Sequence, residues 1–177
     1  YKKLGRSKDA LNSYSKGLSY DPEYTDLLNN LGVTLNDLGQ YKEAIKNYKR
    51  AIEINLDYAE AYNNLGVSYN KLAQFEEAIQ SYKKALDIDP EYADAYNNLG
   101  VVQKKLGQIE DAIASYKKAI LINPNDADTF NNLGIAFDEK EQLDDAIQSY
   151  HQALSIQPDL AEAHNNLGHT LCKLHYY

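Results

Sequence analysis

The sequence predicts an all-α solenoid of antiparallel helix pairs, and a fixed period is the first observation that predicts it. The motif Asn-Asn-Leu-Gly occurs five times, each copy beginning 34 residues after the one before. Two stripes of apolar residues at helical spacing follow in each period, and Pro- or Asn-containing junctions separate one period from the next. The copies of the motif begin at Asn29, Asn63, Asn97, Asn131 and Asn165.

The period divides residues 1–177 into one array of four full and two partial repeats. We number each repeat so that the motif's glycine is at position 8, which gives full repeats at residues 25–58, 59–92, 93–126 and 127–160. Residues 1–24 are then a partial repeat, mainly a second helix expected from Lys8 to Tyr20. Residues 161–177 are a partial repeat that supplies a first helix.

Each repeat is expected to fold as two helices joined by a tight turn at position 15. Gly39 and Gly107 stand there in two repeats, and glycine readily adopts the left-handed conformation that closes a helix. Ala73 and Glu141 stand there in the other two, so those turns must be tighter or strained.

The junctions between repeats carry proline at position 32, which cannot continue the preceding helix. We expect the acid or asparagine after each proline to cap the next helix. Leu56 replaces proline in residues 25–58, and a looser or longer junction is predicted there.

Small residues mark where the two helices of a repeat approach. The glycine at position 8 is expected to face the alanine at position 20, as Gly66 would face Ala78, with tyrosine at position 24 filling the gap beside it. A glycine within a helix costs about 1 kcal/mol relative to alanine, and close packing compensates for that cost.

These residues resemble the tetratricopeptide repeat (TPR) family: aromatic residues at positions 4, 11 and 24, Leu-Gly at 7 and 8, alanine at 20 and 27, and proline at 32. The resemblance covers essentially the whole chain. It implies a right-handed superhelix whose concave groove is lined by positions 2, 5, 6, 9, 12 and 13 of the first helices. It also implies a non-catalytic scaffold for protein–protein interaction.

Asparagine at positions 5 and 6 supplies the main candidate site. A carboxamide has both donors and an acceptor, so a regular row can bind the backbone of an extended peptide whatever its side chains. The alternative is that the asparagines bond to groups at neighbouring helix ends or are simply solvated. This alternative has more weight at position 5 than at position 6. Position 6 is Asn30, Asn64, Asn98, Asn132 and Asn166, and the candidates at position 5 are Asn29, Asn63, Asn97 and Asn131.

Other groove positions have two interpretations each. The β-branched residues at position 9 (Val33, Val67, Val101, Ile135) either contact a ligand or pack on the next first helix, and packing is favoured. The acids at position 2 are interpreted first as helix-dipole partners, and they also disfavour an acidic ligand. Lys71, Lys104 and Lys105 at positions 12 and 13 are either solvated charges or selectors of a ligand's charge.

Two subclasses of the family are compared with this groove. The basic clamp for the C-terminal carboxylate of heat-shock chaperones is disfavoured, since position 5 is always Asn and position 2 always acidic. The asparagine row instead resembles the arm of the O-linked N-acetylglucosamine transferases. A substrate-recognition arm of such a glycosyltransferase is therefore the alternative function.

Composition disfavours several classes of function. The net charge of −8 disfavours nucleic acid, and no apolar run approaches a membrane span. The single cysteine, Cys172, permits no internal disulfide and favours a cytoplasmic location. His169, Cys172 and His175 fan across a helix and are not expected to bind a metal, and no catalytic residues or cofactor are predicted.

Both ends of the array lack a polar capping helix in the sequence. We therefore expect either that the chain is an internal slice of a longer array or that copies associate head to tail, which is compatible with either function.

Overall fold

The computed structural model describes the backbone of residues 2–174 and the side chains from Ser7 onward. Within this range the chain forms helices and no strands, and the predicted all-α array of consecutive helix pairs is confirmed. The helices are α1 (Lys2–Tyr20), α2 (Thr25–Asp37), α3 (Tyr41–Ile54), α4 (Ala59–Lys71), α5 (Phe75–Ile88), α6 (Ala93–Lys105), α7 (Ile109–Ile122), α8 (Ala127–Glu139), α9 (Leu143–Ile156) and α10 (Ala161–Leu174).

The helix α1 differs from the expectation. A second helix starting at Lys8 was predicted, but the backbone is helical without a break from Lys2 to Tyr20. Residues 2–4 amount to less than one helical turn and cannot bury an apolar face on a partner. Continuing the helix through Gly5 costs only about 1 kcal/mol, so the glycine does not interrupt α1.

The chain comprises two compact units, residues 1–90 and 91–177. The first unit contains α1 to α5, and one of its clusters buries Leu28, Tyr48, Ala51 and Leu65. The second contains α6 to α10, with a cluster that buries Tyr116, Leu133, Phe137 and Tyr150. In each unit the buried residues lie on the two predicted stripes.

A glycine–tyrosine contact joins the two helices of each full repeat. A Cβ added to Gly66 would lie 2.6 Å from Cε1 of Tyr82, and one added to Gly134 would lie 2.5 Å from Cε1 of Tyr150. Gly32 with Tyr48 and Gly100 with Tyr116 form the same contact. The tyrosine ring of position 24, expected beside this contact, occupies the space that a side chain at position 8 would need.

The turns between paired helices follow the prediction. Gly39 and Gly107 have φ of 74° and 75°, and Ala73 and Glu141 adopt the same left-handed region at 57° and 61°. Residues with a Cβ pay a steric cost of about 1–2 kcal/mol in this conformation. Two of the four turns are thus strained.

The junctions between repeats differ from the expectation in two ways. The residue after proline does not cap the next helix; at α8 the cap is Asp126, one residue further on, which accepts from the backbone N–H groups of Asp128 and Thr129. The junction at Leu56 is no longer than the others, since α3 ends at Ile54 and α4 begins at Ala59. Asn55 closes that junction by accepting from the N–H of Asp57 at 3.1 Å, as Asn123 does from Asn125. Such a turn does not require proline.

Candidate functional site

The asparagines of the motif form a ladder between successive first helices. The Nδ2 of Asn64 donates to Oδ1 of Asn29 at 3.1 Å in the first unit. In the second unit Asn132 donates to Asn97 at 3.1 Å, and Asn166 donates to Asn131 at 3.0 Å. Each bond runs from position 6 of one repeat to position 5 of the repeat before it. The ladder thereby fixes the orientation of the position-6 amides.

The two rows of the ladder differ in exposure. Asn29 and Asn131 at position 5 are 1% and 3% exposed, and Asn63 is also buried. Asn165, which no following first helix covers among the described residues, is exposed. Asn97, which accepts from Asn132, is half-buried. Asn29, Asn97 and Asn131 therefore accept the hydrogen bonds of the ladder within their units.

Position 6 lies at the surface of this face. Asn30 is exposed, and Asn64, Asn98, Asn132 and Asn166 are half-buried. A carboxamide has two N–H donors and a carbonyl acceptor. In Asn132 the ladder uses one donor, so a second N–H and the carbonyl oxygen remain for another partner.

A cleft opens on this face in the second unit, with a volume of about 540 Å³. Two acids at position 2, Asp128 and Glu162, lie in its wall beside three ladder asparagines. The complete lining is Asn97, Asp128, Asn131, Asn132, Leu160, Ala161 and Glu162. The cleft thus combines amide groups, two carboxylates and a small apolar surface.

Position 2 also takes part in hydrogen bonds in the first unit, one between repeats and one within a repeat. The Oε1 of Glu60 accepts from Nδ2 of Asn29 at 2.9 Å, and Oδ1 of Asp26 accepts from the hydroxyl of Tyr58 at 2.9 Å. Burial, followed by the hydrogen bond to Asp26, raises the pKa of the Tyr58 phenol. The helix-dipole interpretation of these acids did not anticipate either bond.

Comparison with known proteins assigns the family. Models for the tetratricopeptide repeat match, as "TPR repeat", residues 34–73, 68–107 and 138–174 and, as "Tetratricopeptide repeat", residues 13–46, 93–126 and 115–148. The chain belongs to the TPR family. No curated protein sequence matches it.

Solved TPR structures are similar over nearly the whole chain, which fits a helical solenoid. MamA is 30% identical with a TM-score of 0.78, and the match covers 91% of this chain and 94% of that one. TTC0263 of Thermus thermophilus is 25% identical with a TM-score of 0.80, over 96% and 93%. YrrB, described as a TPR protein with an unusual peptide-binding site, is 25% identical with a TM-score of 0.73, over 92% and 84%.

Position 9 of these TPR repeats has a packing role in the second unit. Val101 and Ile135 are half-buried against the cluster that contains Tyr116 and Tyr150. Val33 is 37% exposed on α2. These contacts agree with the packing interpretation for Val101 and Ile135.

The lysines at positions 12 and 13 fall into two groups. The Nζ of Lys104 lies 3.0 Å from Oε1 of Glu139, and Nζ of Lys173 lies 2.7 Å from Oδ2 of Asp138, so both link one TPR repeat to another. Lys71 and Lys105 are exposed at the ends of α4 and α6. The first group therefore has a structural role between repeats, and the second is accessible at the surface.

Sequence reasoning missed a second row of polar contacts, from a hydroxyl at position 10 to position 12 of the repeat before. The Oγ of Ser68 donates to Oδ1 of Asn36 at 2.9 Å, and Oγ1 of Thr170 donates to Oδ1 of Asp138 at 3.2 Å. Both hydroxyls are buried. The sequence feature that corresponds to these contacts is a Ser or Thr that stands 32 residues after an Asn or Asp.

Two negative observations complete the site. Among residues 2–174 no three His, Cys, Asp or Glu side chains are grouped to hold a metal ion, and His175 lies outside the described residues. The helices in the same range include none long and apolar enough to cross a membrane.

Proposed function

We propose that this chain is a non-catalytic interaction scaffold that binds an extended protein segment along the face carrying the position-6 asparagines. The cleft of about 540 Å³ on α8 and α10 is the observation that carries the proposal. An extended backbone presents alternating N–H and C=O groups, and amides with a donor and an acceptor to spare can pair with both.

The ladder makes these amides suitable for binding because it orients them in advance. Asn132 and Asn166 are each held by a hydrogen bond to the preceding repeat. A side chain that is already ordered loses less conformational entropy on binding. YrrB, a structural relative described as having an unusual peptide-binding site, supports a peptide as the ligand class.

The acids of the cleft determine the charge of the preferred segment. Asp128 and Glu162 line the cleft and are exposed, and its lining contains no lysine or arginine. Carboxylates repel an acidic ligand and attract a basic one. The segment we propose therefore carries lysine or arginine at the residues that face Asp128 and Glu162.

A peptide array with matched lysine-rich, glutamate-rich and neutral sequences tests both parts of the proposal, followed by fluorescence anisotropy on the peptides that bind. The double variant Asn132→Ala/Asn166→Ala should weaken binding about tenfold, equivalent to roughly 1.4 kcal/mol of lost hydrogen bonding. The double variant Asp128→Asn/Glu162→Gln should reduce the preference for lysine-rich peptides and the dependence of affinity on salt.

Gln152→Ala is the matched control, because Gln152 is exposed on α9, which contributes nothing to the lining of the cleft. Circular dichroism melts verify that the double variants remain folded. Unchanged affinity in the asparagine double variant would refute the backbone-binding role. A preference for glutamate-rich peptides would refute the charge assignment.

A further inference from the structure

The last residue of a repeat, at position 34, contacts the acid at position 2 in the first unit. Tyr58 stands at position 34, and its hydroxyl donates to Oδ1 of Asp26 in the same repeat at 2.9 Å. The ring of Tyr58 is half-buried and packs on the core cluster that contains Tyr48. The carboxylate of Asp26 thus already accepts a hydrogen bond from its own repeat.

The second unit lacks this contact in the repeat formed by residues 127–160. Leu160 stands at position 34 there, and its side chain has no hydroxyl to donate. Among the described side chains, the carboxylates of Asp128 and Glu162 accept no hydrogen bond and form no ion pair. Both acids are exposed, and both line the cleft of about 540 Å³ together with Leu160.

Leu160 gives this cleft an apolar surface beside the two carboxylates. Its side chain is half-buried and packs on a small cluster that contains Ala127, Ala153 and Ala163. A lysine side chain combines an ammonium, which pairs with carboxylates, and an apolar stem, which packs on apolar surface. Leu160, Asp128 and Glu162 together therefore match both parts of a lysine side chain.

A tyrosine at position 34 would compete with such a lysine. A phenol hydroxyl that donates to a carboxylate uses one of its acceptor sites and reduces the negative charge that an ammonium would meet. Its ring would also replace the smaller leucine side chain in the wall of the cleft. Leucine at this position therefore leaves Asp128 available, whereas Tyr58 engages Asp26.

We propose that Leu160 is a specificity-determining residue of this cleft. It keeps the carboxylate of Asp128 free to pair with a lysine of the bound segment, and its side chain packs against the stem of that lysine. This inference rests on the proposed peptide site and adds the residue that sets its charge preference. The acids at position 2 are then not equivalent, since Asp128 selects the ligand and Asp26 bonds within its own repeat.

Fluorescence anisotropy with a lysine-rich peptide and its neutral counterpart tests the role of position 34. Leu160→Tyr introduces a ring with a hydroxyl, and Leu160→Phe is the matched control with the ring alone. The ratio of the two peptide affinities measures the charge preference, and the effect of the ring cancels when the two variants are compared. This ratio should be about threefold lower in Leu160→Tyr than in Leu160→Phe, a typical size for one exposed ion pair.

Urea denaturation without peptide tests the hydrogen bond itself. In Leu160→Tyr the phenol should donate to Asp128, so the unfolding midpoint should be higher than that of Leu160→Phe. Asp128→Ala removes the acceptor and should abolish the difference between the two variants. The same cycle on the bond of the first unit is the reference, where Tyr58→Phe should lower the midpoint in the unmodified chain and not in Asp26→Ala.

The two measurements separate this inference from the proposed function. If the unmodified chain binds no lysine-rich peptide, the proposed function fails and the inference fails with it. If the unmodified chain prefers lysine-rich peptides while Leu160→Tyr and Leu160→Phe have the same preference, the inference alone is overturned. Equal unfolding midpoints of these two variants would also overturn it, because the phenol would then not engage Asp128.

Discussion

Two contacts made by the same four-residue motif differ in what they require from the rest of the chain. The glycine–tyrosine contact forms inside one repeat, as between Gly134 and Tyr150, and buries an aromatic ring. The asparagine ladder forms between repeats, over a sequence separation of 35 residues. The first contact builds a helix pair, and the second links one pair to the next.

This difference in requirements explains why α10 lacks the glycine–tyrosine contact but keeps the ladder bond. Gly168 has no tyrosine over it, yet Asn166 still donates to Asn131. The ladder thus needs only the preceding first helix, whereas the glycine–tyrosine contact needs a second helix of the same repeat. Changes to the two contacts should therefore have separable effects on stability.

The largest effect is expected from high pH, which acts on the tyrosines of every full repeat at once. Burial raises the pKa of Tyr48, Tyr82 and Tyr116, and it raises the pKa of Tyr150 to about 12. An unfolded chain loses these protons near pH 10, before the folded chain does. The free energy of unfolding should therefore be unaffected by these groups below about pH 10 and fall as the pH rises toward 12.

Urea titrations followed by circular dichroism between pH 8 and 12 measure this fall. Tyr150→Phe should make the fall less steep, because one group fewer ionises on unfolding, and it separates the tyrosine effect from that of the lysines. Equal stability at pH 8 and pH 12 would show that the phenols do not resist ionisation in the folded state.

The next largest change in the free energy of unfolding is expected when a position-8 glycine is replaced by alanine, and two such glycines can be compared. Gly134→Ala forces a Cβ against the ring of Tyr150 and should cost about 1–3 kcal/mol of stability through overpacking. Gly168→Ala meets no atom within 4 Å and should instead gain about 1 kcal/mol from helix propensity. Chemical denaturation of the two variants measures both changes. Equal destabilisation by the two substitutions would contradict the packing role of the glycine.

Removing a bond of the ladder should have a smaller effect. Asn64→Ala leaves the buried Oδ1 of Asn29 without its donor and should cost about 1 kcal/mol. Asn30→Ala removes the exposed amide at the same position of the repeat before and should change stability by less than about 0.5 kcal/mol. Chemical denaturation compares the two variants, and a larger loss in Asn30→Ala would contradict the assignment.

The sequence was sufficient to predict the period, the helix pairs and the left-handed turns. Each depends on local chemistry: apolar spacing for the helices, and position 15 for Gly39 and Ala73. Contacts that depend on how neighbouring helices stack could not be predicted in the same way. The bond from Asn64 to Asn29 and that from Ser68 to Asn36 join residues far apart in sequence, and helical periodicity gives no distance between them.

The same limit applies to the candidate site. Both asparagines of the motif lie within one helical arc, so the sequence assigned positions 5 and 6 to a single face. Only the stacking of the next repeat buries Asn131 and leaves Asn132 accessible. How far the tyrosine ring reaches over position 8 could likewise not be predicted, because that reach depends on the side-chain rotamer and not on the sequence position.

The smallest effect is expected at the turn between paired helices, which belongs to neither contact. Ala73 adopts a φ of 57°, which costs an alanine about 1–2 kcal/mol, and glycine avoids that cost while adding entropy to the unfolded chain. Ala73→Gly should therefore raise the free energy of unfolding by somewhat less than about 1 kcal/mol, and Gly39→Ala should lower it by a similar amount. Urea denaturation of the two variants should show opposite shifts of the midpoint at constant slope.

Because the ladder bond between Asn64 and Asn29 is untouched by the turn variants, combining Ala73→Gly with Asn64→Ala should give additive changes in the free energy of unfolding. A non-additive result would show that turn strain and the contacts between repeats are coupled.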